Sequence, residues 1–334
     1  MNGSTDSPTD MKLITEVKIP EYPFRLDHHS PVLMMGSCFT EEVGKFLHRY
    51  LFPVCINPFG VTYNPLSLLG GLKALIEKEG YVAGDLEQHN GQWFSFDHYT
   101  LFSHPDREKA LKGINLQFHQ AKGFLENASF LILTWGTAWV YRLRSTDRVV
   151  NNCHKLPSRE FNRSRLTPRQ IIEAYEQFLT SLFRYQPGLK ILFTVSPVRH
   201  WKDGAHGNQL SKSVLLLAGE ALQQTFPEHC FYFPSYEIVM DELRDYRYFG
   251  ADLVHTNDLA TEYIWEKFSG SLIHEESRFM IRALEPLLKL KAHRSIQTEG
   301  PAFEQMVGRI SELKQTLQNK YPDLAWDNWE KSGI

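Results

Sequence analysis

What the chain has little of narrows it first. Four cysteines occur in 334 residues, Cys38, Cys55, Cys153 and Cys230, far apart and without a CxxC pair, so neither a disulfide framework nor a zinc knuckle is predicted. They read as reduced thiols, mostly buried. Neither sign of charge is in surplus: 36 Lys and Arg stand against 39 Asp and Glu, a formal net charge of −3, which leaves no basic excess to neutralise phosphates or anionic lipids. Neither nucleic acid nor a membrane is an expected partner. No apolar run is long enough to span a bilayer, and residues 1–20 form a polar lead, with Glu16 and Lys18 interrupting its one apolar stretch, rather than a secretory leader. A cytoplasmic location is the expectation.

Cofactor and metal motifs are missing too. No GxGxxG follows a strand-like run, no Walker-type phosphate loop occurs, and the fourteen histidines include no HExxH or His-x-His spacing. His28 and His29 are adjacent and so face differently. The expectation is that the chain needs no cofactor and no metal.

What is present is an alternation. Short bulky runs at 32–35, 130–134, 190–195 and 231–233 each end in Gly, Ser or Pro and read as buried parallel strands. Helical spacing lies between them, in Phe39 to Tyr50, Leu66 to Glu79, Arg107 to Glu126, Thr167 to Tyr185, Gln209 to Phe226 and Thr256 to Phe268. Strand, loop and helix in repetition predict an α/β fold, a doubly wound parallel sheet with helices on both faces. Alternating aromatics around Asn90-Gly91 suit a β-hairpin inserted at about 80–104. One main domain is expected over 21–272. From 273 to 334 the chain turns charged and helical, over 275–292 and 301–319 with a Thr-Glu-Gly-Pro break between, a C-terminal appendage suited to a protein partner or to self-association.

In an open parallel sheet the ligand crevice lies beyond the carboxyl ends of the strands. The residues in that position are Gly36-Ser37-Cys38-Phe39, Trp135-Gly136-Thr137, Ser196 to His200, and Pro234 to Glu237. Ser37 falls where strand gives way to helix, so an anion developing there is favoured by the helix N-terminus. It reads equally well as a plain helix N-cap. A serine nucleophile needs a base, and an Asp precedes a His by three residues twice, at Asp203 and His206 and at Asp252 and His255. The second pair runs into Thr256-Asn257-Asp258, a good cap for the last helix of the unit, and is favoured: Asp252 holds one imidazole nitrogen of His255 and the other takes the serine proton. Cys38 is a rival nucleophile whose side chain, one residue into the helix, is expected to turn away.

A resemblance joins these pieces. "GSCF" at 36–39, "NPFG" with "YNP" at 57–65, "GTAWVY", "NCHK", "TVSPVRH", "FPSYE", "LRDYR" and the late "DLVH" ending at His255 resemble, in this order, the GSCFA family, which is similar to the SGNH (GDSL-type) hydrolases. The resemblance implies a flavodoxin-like three-layer α/β/α sandwich, Ser37 as nucleophile with Asp252 and His255, and esterase chemistry. It also implies an oxyanion hole from the Ser37 and Gly60 N–H groups, with Thr137 where such enzymes carry an asparagine; Asn57, Asn64 and Asn152 are other candidate donors. Asn57, Asn64, Gly136, His154, Arg199 and His200, with Lys155, form the expected binding set for an anionic or sugar-like substrate. Trp93, Phe94, Trp135, Trp139 and Tyr141 could form an aromatic wall. The function expected is removal or transfer of an acyl group, such as acetyl, on a carbohydrate or small-molecule ester. The alternative is a non-catalytic module of the same fold that binds a ligand in its cleft and recruits a partner through the tail.

Overall fold

The computed structural model describes residues 14–292 and 300–331. Residues 1–13 of the polar lead and Thr298-Glu299 of the break between the tail helices lie outside the described residues. In chain order the strands are β1 (Val32–Gly36), β2 (Val54–Ile56), β3 (Glu87–His89), β4 (Gln92–Phe94), β5 (Phe130–Trp135), β6 (Trp139–Leu143), β7 (Val149–Val150), β8 (Phe161–Arg165), β9 (Lys190–Val195) and β10 (Cys230–Tyr232). The helices are α1 (Cys38–Arg49), α2 (Pro65–Glu77), α3 (Arg107–Asn127), α4 (Pro168–Tyr185), α5 (Gly204–Thr225), the single turn α6 (Ser235–Glu237), α7 (Asp258–Leu272), α8 (Glu275–Ala292), α9 (Pro301–Lys320) and α10 (Asp327–Lys331).

The central sheet has five parallel strands in the order β10-β9-β5-β1-β2. Counting only these five along the chain, the order is 2-1-3-4-5, the doubly wound arrangement in which the winding reverses between the first and third strands. Alternate side chains on each strand enter different cores, because successive Cβ atoms point to opposite faces. Leu33, Met35, Leu131, Leu133, Ile191 and Phe193 pack with α2 to α5, whereas Val32, Met34, Phe130, Ile132 and Leu192 pack with α1, α7 and α8. Each such side chain contributes on the order of 1.5–3 kcal/mol by leaving water.

The four expected central strands and the hairpin β3-β4 are present, the latter turning at Asn90-Gly91, where both residues have positive φ. Two features went unanticipated. β2 is only three residues long, between Pro53 and Asn57-Pro58. The antiparallel sheet β7-β6-β8 is half exposed and carries arginines, so it lacks the apolar signature of a core strand. Helix α5 begins at Gly204 rather than near Gln209, taking His206 into its first turn. Most consequentially, the chain beyond 272 packs in closely: Ile281, Leu284, Leu287 and Leu288 of α8 are buried in the same core as α1 and α7. Farther on, Ala325 N–H donates to Leu51 O and Asn328 Nδ2 to Phe52 O.

Candidate active site

A cavity of about 400 Å³ opens beyond the carboxyl ends of β1 and β5, at the point where the winding reverses. Ser37, Cys38, Tyr63, Asn64 and Thr137 line it on one side, Arg163 and Asp203 beside Trp139 and Tyr141 on another, and Ser196, Arg199, His200, Lys202 and His255 complete it.

Ser37 is placed by Gly36. A Cβ at position 36 would lie 2.4 Å from Thr134 O and 2.5 Å from Thr40 Oγ1, so only glycine lets β1 run this close to β5 as it turns into α1. Ser37 then takes the N-cap position in extended conformation, yet its side chain makes no capping hydrogen bond. Its N–H donates to Thr134 O at 3.2 Å and its carbonyl accepts from Thr40 N–H. The residue is 1 % exposed and its Oγ has no hydrogen-bond partner. A buried hydroxyl without a partner costs stability rather than adding it, so capping does not account for this serine.

His255 is placed by a tight loop ahead of α7. Gly250 N–H donates to His255 O, Leu253 N–H donates to Gly250 O, and Leu253 takes a positive φ of 58°. Asn257 anchors the loop by capping Ala260 N–H and donating through Nδ2 to Arg247 O. Within the loop Asp252 Oδ2 lies 2.6 Å from His255 Nδ1, while Asp252 Oδ1 accepts from the N–H groups of Val254 and His255, both at 3.0 Å. Those N–H donors and the imidazole hold the Asp252 carboxyl well below the usual carboxylate range. Both side chains of the pair are more than half exposed, so it stands at the cavity mouth rather than within the core. The competing pair is divided differently: Asp203 is bound to Arg163, and His206 is exposed on α5.

The other predicted site residues separate into groups. Asn64 lines the cavity but is committed to capping α2, accepting from Ser67 N–H and donating to Ser67 Oγ. Thr137 lines it with its N–H given to Tyr63 O, as is that of Gly136, and its hydroxyl shared with Ser211 Oγ. Gly60 is outside the lining: its N–H donates to Asn57 O, and a Cβ there would strike Tyr99. Asn57 holds Gly36 N–H through Oδ1, bracing the turn before Ser37 rather than facing the cavity. His154 is outside as well, stacked on Phe94 with Nε2 on Ser95 O, and burial pushes it down to about 4. Asn152 accepts from His154 N–H. Arg199 and His200 do line the cavity; burial, with the Lys212 ammonium nearby, pushes His200 down to about 4. Of the aromatics, Trp139 and Tyr141 form walls, Trp135 and Phe94 are core, and Trp93 lies under Arg107. Cys38 does not turn away: it lines the cavity beside Ser37, though burial raises its thiol pKa and so keeps it protonated.

Lys212 was missed. It is fully buried, and Nζ donates at 2.6 Å to Gly136 O and at 2.6 Å to Ser196 O, tying together the segments that follow β5 and β9 at the cavity floor. Burial pushes it down to about 7. Its sequence signal was present, since Lys212 falls on the buried stripe of α5 with Asn208, Ser211, Leu215 and Leu222. Arg163 and Tyr63 come from segments with no apolar periodicity and gave no such signal.

An α/β protein with an unpartnered serine and a carboxylate-held histidine at the reversal point of a parallel sheet is the class that this fold and site define. The chain belongs to the GSCFA family, whose model matches residues 31–268. It is similar to a solved structure described as "a putative platelet activating factor from Streptococcus pneumonia", at 11% identity with a TM-score of 0.36, over 72% of this chain and 83% of that one. No curated protein matches the chain. Among the described residues no helix is long and apolar enough to cross a membrane, and no group of three metal-ligating side chains comes together.

Proposed function

We propose that the protein is a serine ester hydrolase of SGNH type, with Ser37 as nucleophile, His255 as general base and Asp252 as the group that orients the base. One observation carries this reading: a buried serine hydroxyl that neither caps its helix nor bonds anything else shares a cavity with an imidazole whose Nδ1 is held by a carboxylate. In the reaction Ser37 Oγ turns toward the cavity, attacks the ester carbonyl and passes its proton to His255 Nε2. Collapse of the tetrahedral adduct breaks the bond to the alcohol, which leaves with that proton. Water, deprotonated by the same imidazole, then attacks the acyl-enzyme; the bond to Ser37 Oγ breaks, Oγ takes the proton back from His255, and the acid leaves. Transfer to a sugar hydroxyl in place of water uses the same groups.

The oxyanion donors of this proposal differ from those the sequence resemblance implies. With the N–H groups of Ser37, Gly60 and Thr137 engaged, and that of Thr40 given to Ser37 O, the developing charge rests on the N–H groups of Cys38 and Phe39 at the start of α1, which have no intrahelical acceptor. Ser37 Oγ is covered in this conformation and not yet bonded to His255, as is common before substrate closes such a site. The same two facts favour the binding-module reading as the alternative, and one experiment separates the two. A fluorophosphonate probe should label wild-type protein at Ser37 and leave Ser37→Ala unlabelled; Asp252→Asn and His255→Ala should each slow hydrolysis of short-chain nitrophenyl esters by roughly 10²-fold or more. Unlabelled wild-type protein with no ester turnover would leave the binding module standing instead.

A further inference from the structure

The cavity carries more positive charge than its fold consumes. Arg163 is bound to Asp203, and that pair is neutral. Arg199 donates to Met240 Sδ at 3.3 Å and lies over Trp201, and Lys202 donates to Tyr141 OH at 2.7 Å. Among the described residues neither has a carboxylate within ion-pair distance. On a chain whose formal charge is −3, unpaired cations gathered at one opening are not a sample of the surface. Cations that line a partly enclosed site focus the field into it and raise the local concentration of anions.

We infer that the ester turned over at Ser37 carries an anionic group, a carboxylate or a phosphate, held by Arg199 and Lys202 at the cavity rim. This rests on the hydrolase reading of Ser37 and adds the substrate class. A neutral sugar ester would use the aromatic walls of Trp139 and Tyr63 and leave both cations idle. An anion makes charge-assisted bonds to each, with the Arg199 guanidinium offering a two-pronged contact.

The test uses matched esters on the whole protein. 3-Acetoxybenzoate is compared with 3-acetoxybenzamide, placing the charge on the alcohol side, and nitrophenyl hydrogen succinate with nitrophenyl butyrate, placing it on the acyl side. The expected result is that at least one anionic member is preferred by roughly tenfold or more in kcat/KM, the size of one charge-assisted contact. That ratio should shrink in Arg199→Gln/Lys202→Gln and with rising ionic strength. Ratios near one for both pairs, or a preference that the double variant leaves intact, overturn the inference while leaving the hydrolase standing. If no ester is turned over, calorimetric titration of the wild type and the double variant with inorganic phosphate and 3-hydroxybenzoate decides separately. Binding lost in the double variant keeps the anion subsite and sinks the serine chemistry; equal or absent binding of both anions sinks the subsite too.

Discussion

Ser37 donates its N–H to Thr134 O across the ends of β1 and β5, and its hydroxyl, a few bonds away, reaches nothing. The backbone of this residue is used by the fold and the side chain is not. Removing the hydroxyl should therefore be nearly free for stability: Ser37→Ala is expected within about 0.5 kcal/mol of wild type in urea denaturation, whereas loss of a true serine cap costs about 1 kcal/mol. A loss of the larger size would return Ser37 to a capping role.

Gly36 makes the opposite prediction. A methyl at this position must displace Thr134 O or the Thr40 side chain, both nearer than 2.6 Å to where it would lie. Overpacking of this kind costs on the order of 1–3 kcal/mol, and the strain falls on the turn that aims Ser37. Gly36→Ala should lower the denaturation midpoint and also suppress fluorophosphonate labelling. Normal labelling in a destabilised variant would separate the turn from the reactivity of the serine.

Sequence reasoning reached the sheet because its strands are buried on both faces and so read as unbroken apolar runs; it singled out Ser37, Asp252 and His255 from strand ends and capped loops, which have local signatures, and the structure puts Ser37 and His255 on one cavity with Asp252 bonded to His255. It did not reach β2, which is too short to show a period, or Arg163, which stands on an antiparallel sheet with no apolar alternation, or Lys202, which lies in the turn between β9 and α5. The resemblance implied Gly60 as an oxyanion donor, and could not show that Asn57 O already takes that N–H. His154 illustrates the same limit: a histidine near a strand end is equally a site residue or a core residue until its neighbours, here Phe94 and Ser95 O, are known.

Four histidines should govern acid stability. His28, His98, His154 and His200 are each pushed down by burial to about 4. Because these folded-state values lie below the unfolded one, near 6.5, the unfolded chain binds protons between pH 6.5 and 4 that the folded protein refuses. Stability is therefore lost as pH falls through that window, with a slope of up to four protons, and these groups add no further loss below it. His98 is the cleanest probe, since it is buried among Phe59, Tyr81 and Phe102 with neither ring nitrogen bonded. His98→Phe should reduce the slope of unfolding free energy against pH by about one proton, roughly 1.4 kcal/mol per pH unit at most. An unchanged slope would mean that this ring is hydrated or charged in the folded state.

Lys212 acts at the other end of the scale. Its folded value is about 7 against 10.5 for a free lysine, so between those limits the unfolded chain holds a proton that the folded protein has released. The sign is that stability rises with pH across the window. Relative to Lys212→Met, wild type should gain up to about 1.4 kcal/mol per pH unit between pH 7 and 9, the contributions of the buried thiols and tyrosines being common to both proteins. Parallel curves for the two proteins would show that Lys212 stays fully protonated throughout, its ammonium sustained by Gly136 O and Ser196 O.

The tail offers the last contrast, between packing and display. Leu284 and Leu287 of α8 are 0 % exposed, against α1 and α7, whereas Val307 of α9 is 43% exposed. If α8 were an arm held out for a partner, trimming Leu287 would cost the isolated protein little. Packed as it is, Leu287→Ala removes buried methyls and leaves a cavity, a loss of about 2–5 kcal/mol, while Val307→Ala should stay within about 0.5 kcal/mol of wild type. Both are read from urea denaturation of the full chain at one pH. The outcome bears on the tail as an arm for a partner: Leu287 is committed to the core, whereas Phe279 of α8 and Val307 of α9 stay exposed, so a large loss in Leu287→Ala means that the buried face of α8 holds the fold together.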